Sequence, residues 1–251
     1  MKIEKLQENI SALEVDEIEA TAEDVIDSTV DVNNLPDGIV TGSSLIEFND
    51  GMNAKLKSSV ALSLLAAQRV AANDSSINNP DQWLEKHNQT LKQLSWLVEQ
   101  DSQLNSEFES LNVAVHEAII PFLMAALSPA AAAGSLIIKA LEQLRTMDEN
   151  SSWITLFDKE SQRFEVNEFH FAIVEQVENQ TRLKMAAARF DASYGRTQVL
   201  FFKIRKSDAS FDARNMSFLA NSELLEEMNV QLRVKLRDHA KKFIQEMDIG
   251  L

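Results

Sequence analysis

The chain lacks cysteine, and glycine and proline are scarce, with six and four copies in 251 residues. The missing thiols exclude disulfides, cysteine nucleophiles and thiolate metal sites. Few glycines and prolines favour long helices over a loop-rich β fold. The N-terminal residues contain no apolar segment of the kind found in secretory signals. A cytoplasmic location is therefore the default expectation, and export without a cleaved signal stays open.

Positive charge is also in short supply, because 24 lysines and arginines face 39 aspartates and glutamates, for a net charge of −15. This balance excludes nucleic-acid binding, which needs a basic surface. It also opposes adsorption to anionic lipid at neutral pH. The charges are spread unevenly. Residues 1–31 carry ten carboxylates against Lys2 and Lys5, a net of −8, whereas residues 182–206 carry seven cations against Asp191, a net of +6.

This charge polarity predicts a non-enzymatic interaction or assembly protein, in which an acidic N-terminal arm docks on a basic sheet face. The partner would be another protein or a second copy in a homo-oligomer. An arm that covers its own sheet edge is the intramolecular alternative. The residues expected to carry the interaction are the acidic Glu14, Asp16, Glu17, Glu23 and Asp24 and the basic Arg182, Lys184, Lys203 and Arg205.

One long stretch, "AIIPFLMAALSPAAAAGSLII" at residues 118–138, contains no charged side chain. Within it, Ser128 and Pro129 predict the start of a second helix, since serine caps helices and proline suits the first helical position. The two pieces of about ten residues would each be about 15 Å long. A bilayer core of about 30 Å needs about 20 uninterrupted residues. The sequence therefore predicts a buried, Ala-rich helical hairpin.

The same hairpin supports a second hypothesis, a conditionally membrane-active protein of toxin-like or virulence-associated type. Its small residues suit close helix packing in lipid, and acid could trigger insertion by protonating carboxylates. The residues expected to enter the membrane are Phe122, Leu123, Met124, Leu127, Leu136 and Ile137.

Hydrophobic periodicity predicts a single α+β domain over residues 1–251, predominantly helical, with the Ala-rich hairpin, a three- to four-stranded antiparallel β-meander and a long C-terminal helix. Residues 1–50 form an acidic, partly extended arm in this prediction. Residues 52–147 are a helical region, residues 151–206 the antiparallel sheet, and residues 222–247 the C-terminal helix.

Motifs for catalysis, nucleotide binding or metal binding are missing from the sequence. The four histidines lie in four different predicted elements and lack metal-ligand spacing. We therefore expect no enzymatic activity and no cofactor. His170 lies between Phe169 and Phe171 in a predicted core strand, which makes it a candidate pH-sensitive group.

The order of "LKQLSWLVEQD", the apolar hairpin, "WITLFDKESQ" and "TQVLFFKIR" resembles uncharacterised bacterial proteins of similar length, over about residues 52–206. The resemblance implies a bacterial origin and no particular activity.

Overall fold

A computed structural model describes residues 3–18, 30–105, 113–127, 135–148, 150–164, 166–191, 199–201 and 211–249. The helices are α1 (Ile3–Ser11), α2 (Ala54–Asn73), α3 (Pro80–Gln93), α4 (Val115–Ala126), α5 (Leu136–Gln143), α6 (Ser152–Ser161), α7 (Ser222–Lys235) and α8 (Arg237–Phe243), with a 3₁₀ turn at Val199–Phe201. The strands are β1 (Gly38–Thr41), β2 (Ser44–Phe48), β3 (Leu97–Asn105), β4 (Gln162–Arg163), β5 (Val166–Val177), β6 (Gln180–Asp191), β7 (Phe211–Asn221) and β8 (Ile244–Glu246).

The strands form an eight-stranded mixed sheet in the order β3-β7-β6-β5-β2-β1-β8, with β4 paired to β5. Strands β2 and β5 run parallel, and the other pairs are antiparallel. The prediction of a three- to four-stranded antiparallel meander is therefore wrong. The strands β5 and β6 were expected, but their sheet also recruits strands from residues 38–48, 97–105 and 244–246.

Helices cover both faces of this sheet. Face A is the side of β5 that carries His170, and α3 packs there through Trp83. Face B carries Phe169 and Phe171, which contact Phe157 of α6. Helix α2 lies beside α3 and is buried along most of its length, because α7 packs against it as well. Helix α1 in turn packs against α7.

Two segments have the opposite secondary structure to the predicted one. Strand β3 lies in the predicted helical region and pairs with β7, a long strand at residues 211–221 that the sequence did not predict. Helix α6 lies in the predicted sheet region. It buries Trp153, Leu156 and Phe157, whose spacing is helical rather than alternating.

The predicted single helix over residues 222–247 is also wrong. Its start is right, since the Asn221 side chain accepts a hydrogen bond from the Leu224 amide. However, α7 ends at Lys235, α8 ends at Phe243, and the next residues pair with β1 as strand β8. The predicted strand "TQVLFFKIRK" at residues 197–206 contains a 3₁₀ turn at Val199–Phe201, and the rest of it lies outside the described residues.

The turn between β1 and β2 depends on a glycine and on a buried glutamine of α2. Gly42 has a φ of +53°, which other residues adopt only with strain. The Gln68 side chain donates to the Thr41 carbonyl at 3.0 Å and accepts from the Ser43 amide at 3.2 Å. A Cβ atom on residue 42 would overlap the Gln68 amide oxygen.

We expect Gly42→Ala to lower the free energy of unfolding by about 2 kcal/mol or more, because backbone strain adds to the loss of these buried hydrogen bonds. Urea denaturation measures the change. Gly51→Ala is the matched control, since Gly51 has a φ of +82° and open space around it. It should lose only the strain contribution of about 1 kcal/mol. Equal losses for the two variants would contradict the role of Gln68.

Candidate functional site

The apolar hairpin predicted from the sequence corresponds to α4 and α5, which pack together on face B; residues 128–134 lie outside the described residues. The structure buries four of the six predicted membrane residues, Phe122, Leu123, Leu127 and Ile137, and half-buries Leu136. Met124 is different, because 43% of it is exposed to solvent.

The outer face of α4 is apolar as well as the inner one. Pro121, Met124 and Ala125 are exposed, while Ile119 and Leu123 are fully buried beneath them. A surface helix normally presents charged or polar side chains to water. Helix α4 therefore has two apolar faces, although only one of them is covered.

Polar links attach this hairpin to the sheet near the end of α4 and the start of α5. The Asn215 side chain of β7 donates to the Ala126 carbonyl at 3.1 Å. The Glu47 carboxylate of β2 accepts hydrogen bonds from the Ser135 hydroxyl and, at 3.3 Å, from the Ile137 amide. Glu47 thereby caps the first turn of α5 with a carboxylate.

Two further links join α4 to α5 at the other end of the hairpin. The imidazole of His116 donates from Nδ1 to the Leu141 carbonyl over 2.9 Å, and Glu117 forms an ion pair with Arg145. Burial lowers the pKa of His116, and the charge of Arg145 adds to this effect, although the hydrogen bond and Glu117 oppose it. Sequence reasoning treated His116 as an ordinary histidine. The sequence signal for His116 is its position directly after the apolar Val115.

His170, the predicted pH-sensitive residue, is fully buried on face A among other polar groups. Its Nε2 atom donates to Glu168 at 2.9 Å, and its ring lies 5.7 Å from Trp83 and 5.5 Å from His87. Arg189 holds the other carboxylate oxygen of Glu168 at 2.7 Å. Burial alone would raise the pKa of Glu168, but these hydrogen bonds and charges lower it to about 2.

His87, which sequence reasoning did not select, has the largest lowering of pKa among the histidines whose shifts are resolved. Burial is the main cause and His170 the second, and together they lower the pKa of His87 to about 3. Arg163 stacks on the nearby Trp83 ring at 3.9 Å, and burial lowers the pKa of its guanidinium to about 10. Protonation of His87 would thus add a buried positive charge near the Arg163 guanidinium.

Of the acidic residues predicted for the N-terminal arm, the structure describes Glu14, Asp16 and Glu17. Asp16 contacts its own chain, since its carboxylate lies 3.4 Å from Arg69 of α2 and 3.5 Å from His239 of α8. Glu14 and Glu17 are exposed. Two further predicted residues, Glu23 and Asp24, lie outside the described residues.

The two described residues of the predicted basic face already have carboxylate partners within the sheet. Arg182 pairs with Glu99 of β3 at 3.0 Å, and Lys184 pairs with Glu175 of β5 at 3.1 Å. The other predicted residues, Lys203 and Arg205, lie outside the described part of the chain. Docking of the arm on this face, and a protein partner or homo-oligomer, stay predictions.

Neither a metal centre nor a membrane span occurs among the residues that the structure describes. No three histidine, aspartate or glutamate side chains come together in an arrangement that could hold a metal ion. No helix in the described ranges has both the length and the apolar character needed to cross a bilayer.

Comparison with known proteins finds no matching family model and no matching curated protein. Two solved structures show similarity over most of both chains. The Evf virulence factor is 12% identical, with a TM-score of 0.36, and the match covers 98% of this chain and 91% of that one. A delta-endotoxin is 13% identical, with a TM-score of 0.33, and the match covers 83% of this chain and 87% of that one. At these values, the chain is similar to a virulence factor and to a toxin and is assigned to no family.

Proposed function

We propose that this chain is a conditionally membrane-active protein that inserts the α4–α5 hairpin into a bilayer after acid loosens the fold. The observation that supports this proposal is the exposed apolar face of α4. Pro121, Met124 and Ala125 are exposed to water, and residues 118–126 contain no charged side chain. A helix that is apolar on all sides is stable in a protein core or in lipid. Insertion would cover the face that the folded chain leaves exposed.

The size of the hairpin supports shallow insertion rather than a full span. Helix α4 has 12 residues, which corresponds to a length of about 18 Å. One leaflet contributes about half of the 30 Å hydrocarbon core. Helix α4 can thus reach the bilayer midplane with its C-terminal end while the charged Glu117 stays at the surface. Helix α5 carries the exposed Lys139 and Glu142 and would insert less deeply.

Acid favours release of the hairpin from the sheet, because it protonates buried histidines that are neutral in the folded chain. The Nδ1–H of His116 faces the Leu141 carbonyl, so an added proton at Nε2 would put a buried charge between α4 and α5. His87 adds a second unfavourable protonation on the other face of the sheet. Once the hairpin is free, no charged side chain in residues 118–126 opposes the entry of α4 into lipid.

A fluorescent label tests this proposal directly, because the chain has no native cysteine. We expect Met124→Cys, labelled with an environment-sensitive dye, to shift its emission to the blue with phosphatidylcholine vesicles at pH 5 and not at pH 7.5. Val177→Cys is the matched control, since Val177 is 56% exposed and lies at the end of β5. Vesicle flotation and dye release are measured in the same samples. An unshifted Met124 label on vesicle-bound protein would refute insertion of the hairpin.

A further inference from the structure

The solvent-facing stripe of α7 and α8 combines exposed valines with cations. Val230 and Val234 are 61% and 77% exposed. Arg233, Arg237 and Lys241 are exposed too, and they follow the valines at intervals of three and four residues along α7 and α8. This pairing of aliphatic and basic side chains is unusual on a chain with a net charge of −15.

The stripe forms one wall of a groove, and residues 30–33 form the other. The groove has a volume of about 440 Å³, and its lining includes the apolar Val30, Val32 and Leu62 as well as the stripe. One carboxylate, Asp31, lines it within the described residues, and its pKa is lowered by hydrogen bonds from Asn33. Asp238 lies nearby, 3.4 Å from Arg237 and 3.7 Å from Lys241. Cations therefore outnumber carboxylates in the lining, around an apolar interior.

We propose that this groove binds an extended, acidic segment of a partner protein that also carries aliphatic side chains. Carboxylates would pair with Arg233, Arg237 and Lys241, and the aliphatic side chains would cover Val230 and Val234. Recognition of acidic motifs by clustered cations is an established mode of peptide binding. The partner would supply negative charge opposite the cations of the stripe and apolar side chains that cover its valines.

The spacing of the cations fits an extended peptide. Cations four residues apart on a helix are separated by about 6 Å along its axis. Carboxylates at alternate positions of an extended chain are about 6.6 Å apart. Arg237 and Lys241 have this spacing within α8, and Arg233 lies four residues before Arg237, on α7. A side chain of the peptide can enter the groove between residues 30–33 and the stripe, whereas a flat bilayer contacts the rim of the groove alone.

Peptide binding to the unmodified full chain tests this inference at neutral pH, without vesicles. The probe is a fluorescein-labelled peptide that alternates glutamate and valine, and anisotropy reports its binding. Its two comparison peptides replace glutamate by lysine or valine by serine. We expect the glutamate–valine peptide to bind at least about tenfold more tightly than either one. Equal binding of the glutamate–serine peptide would show attraction by charge alone and would overturn the proposal.

Matched variants locate the binding surface. Arg233→Gln, Arg237→Gln and Lys241→Gln combined should weaken binding at least about tenfold, and Val230→Ser with Val234→Ser should do the same. Lys55→Gln, Lys92→Gln and Lys159→Gln combined remove the same charge from exposed positions elsewhere and should leave binding unchanged. Circular dichroism verifies folding. Equal effects of the two charge variants would overturn the proposal, and so would binding to phosphatidylglycerol vesicles without binding to the peptide.

Discussion

Met124→Lys should reduce acid-dependent dye release about 100-fold and leave the folded protein intact. The side chain is 43% exposed, so water solvates the new charge in the folded state. In the bilayer, a lysine near the midplane costs about 3 kcal/mol. This cost corresponds to a decrease of about 100-fold in the population of the inserted state. Lysine is preferred to glutamate here, because it keeps its charge at pH 5. Dye release from phosphatidylcholine vesicles measures the effect.

Two controls separate insertion from a general effect of charge. Val177→Lys places the same charge at an exposed valine far from the hairpin in sequence and should release dye like the parent protein. Met124→Leu keeps the apolar face and should also be active. Thermal unfolding at pH 7.5 must be unchanged in all three variants. Full release by Met124→Lys would exclude the outer face of α4 from the membrane-bound state.

Acidification from pH 7.5 to pH 5 should lower the free energy of unfolding by about 2 kcal/mol through His87 alone. The pKa of this histidine is about 3 in the folded chain and 6.5 as the ordinary value. The unfolded chain therefore binds a proton in this window that the folded chain does not. The contribution of His87 to the free energy of unfolding is fully present above pH 6.5. It falls by about 1.4 kcal/mol per pH unit below pH 6.5 and stops falling near pH 3. Urea denaturation at several pH values measures this slope.

His87→Gln should flatten that slope, because glutamine does not titrate and can still donate a hydrogen bond to the Asn88 side chain that His87 contacts. His116→Asn should remove a further part of the pH dependence, since the pKa of His116 is lowered too. In the proposed mechanism it should also move dye release to lower pH. An unchanged slope in His87→Gln would mean that its burial does not govern stability in acid.

Histidines explain the proposed trigger better than the many carboxylates do. A carboxyl group with an ordinary pKa near 4 is about one-tenth protonated at pH 5. The pKa of Glu168 is about 2, so this buried carboxylate stays ionised until the solution is far more acidic. A buried histidine, in contrast, resists a proton that the unfolded chain takes up already near pH 6.5. Loosening near pH 5 is thus expected to follow His87 and His116.

Local sequence patterns predicted the elements whose signals lie within a few residues. The C-terminal helix starts at the predicted residue, where Asn221 caps α7, and β5 and β6 lie within the predicted sheet region. The sheet could not be predicted in the same way, because β2 pairs with β5 across more than a hundred residues. Strand β3 is at the edge of the sheet and exposes Leu97 and Val98, so its side chains do not alternate clearly.

The sequence predicted which residues form the apolar hairpin, but it did not predict which of their side chains are exposed to solvent. The uncharged run at residues 118–138 selected the hairpin, yet no pattern distinguished the exposed Met124 from the buried Leu123. The charge map gave the signs of Arg182 and Lys184 but not their partners, since Glu99 and Glu175 approach them through strand register. The basic stripe on α7 and α8 was not predicted, because only the apolar side of a single helix over residues 222–247 was considered in the prediction.

The pairing of β1 with β8 makes completion of the sheet depend on synthesis of residues 244–246. A nascent chain makes the hairpin of β1 and β2 early, but β5 and β8 reach it only after long stretches of later sequence. Such non-local pairing slows folding and prolongs the lifetime of exposed strand edges. A chain that stalls or is cleaved after α8 would keep the open edge of β1, and that edge can recruit a strand from another molecule.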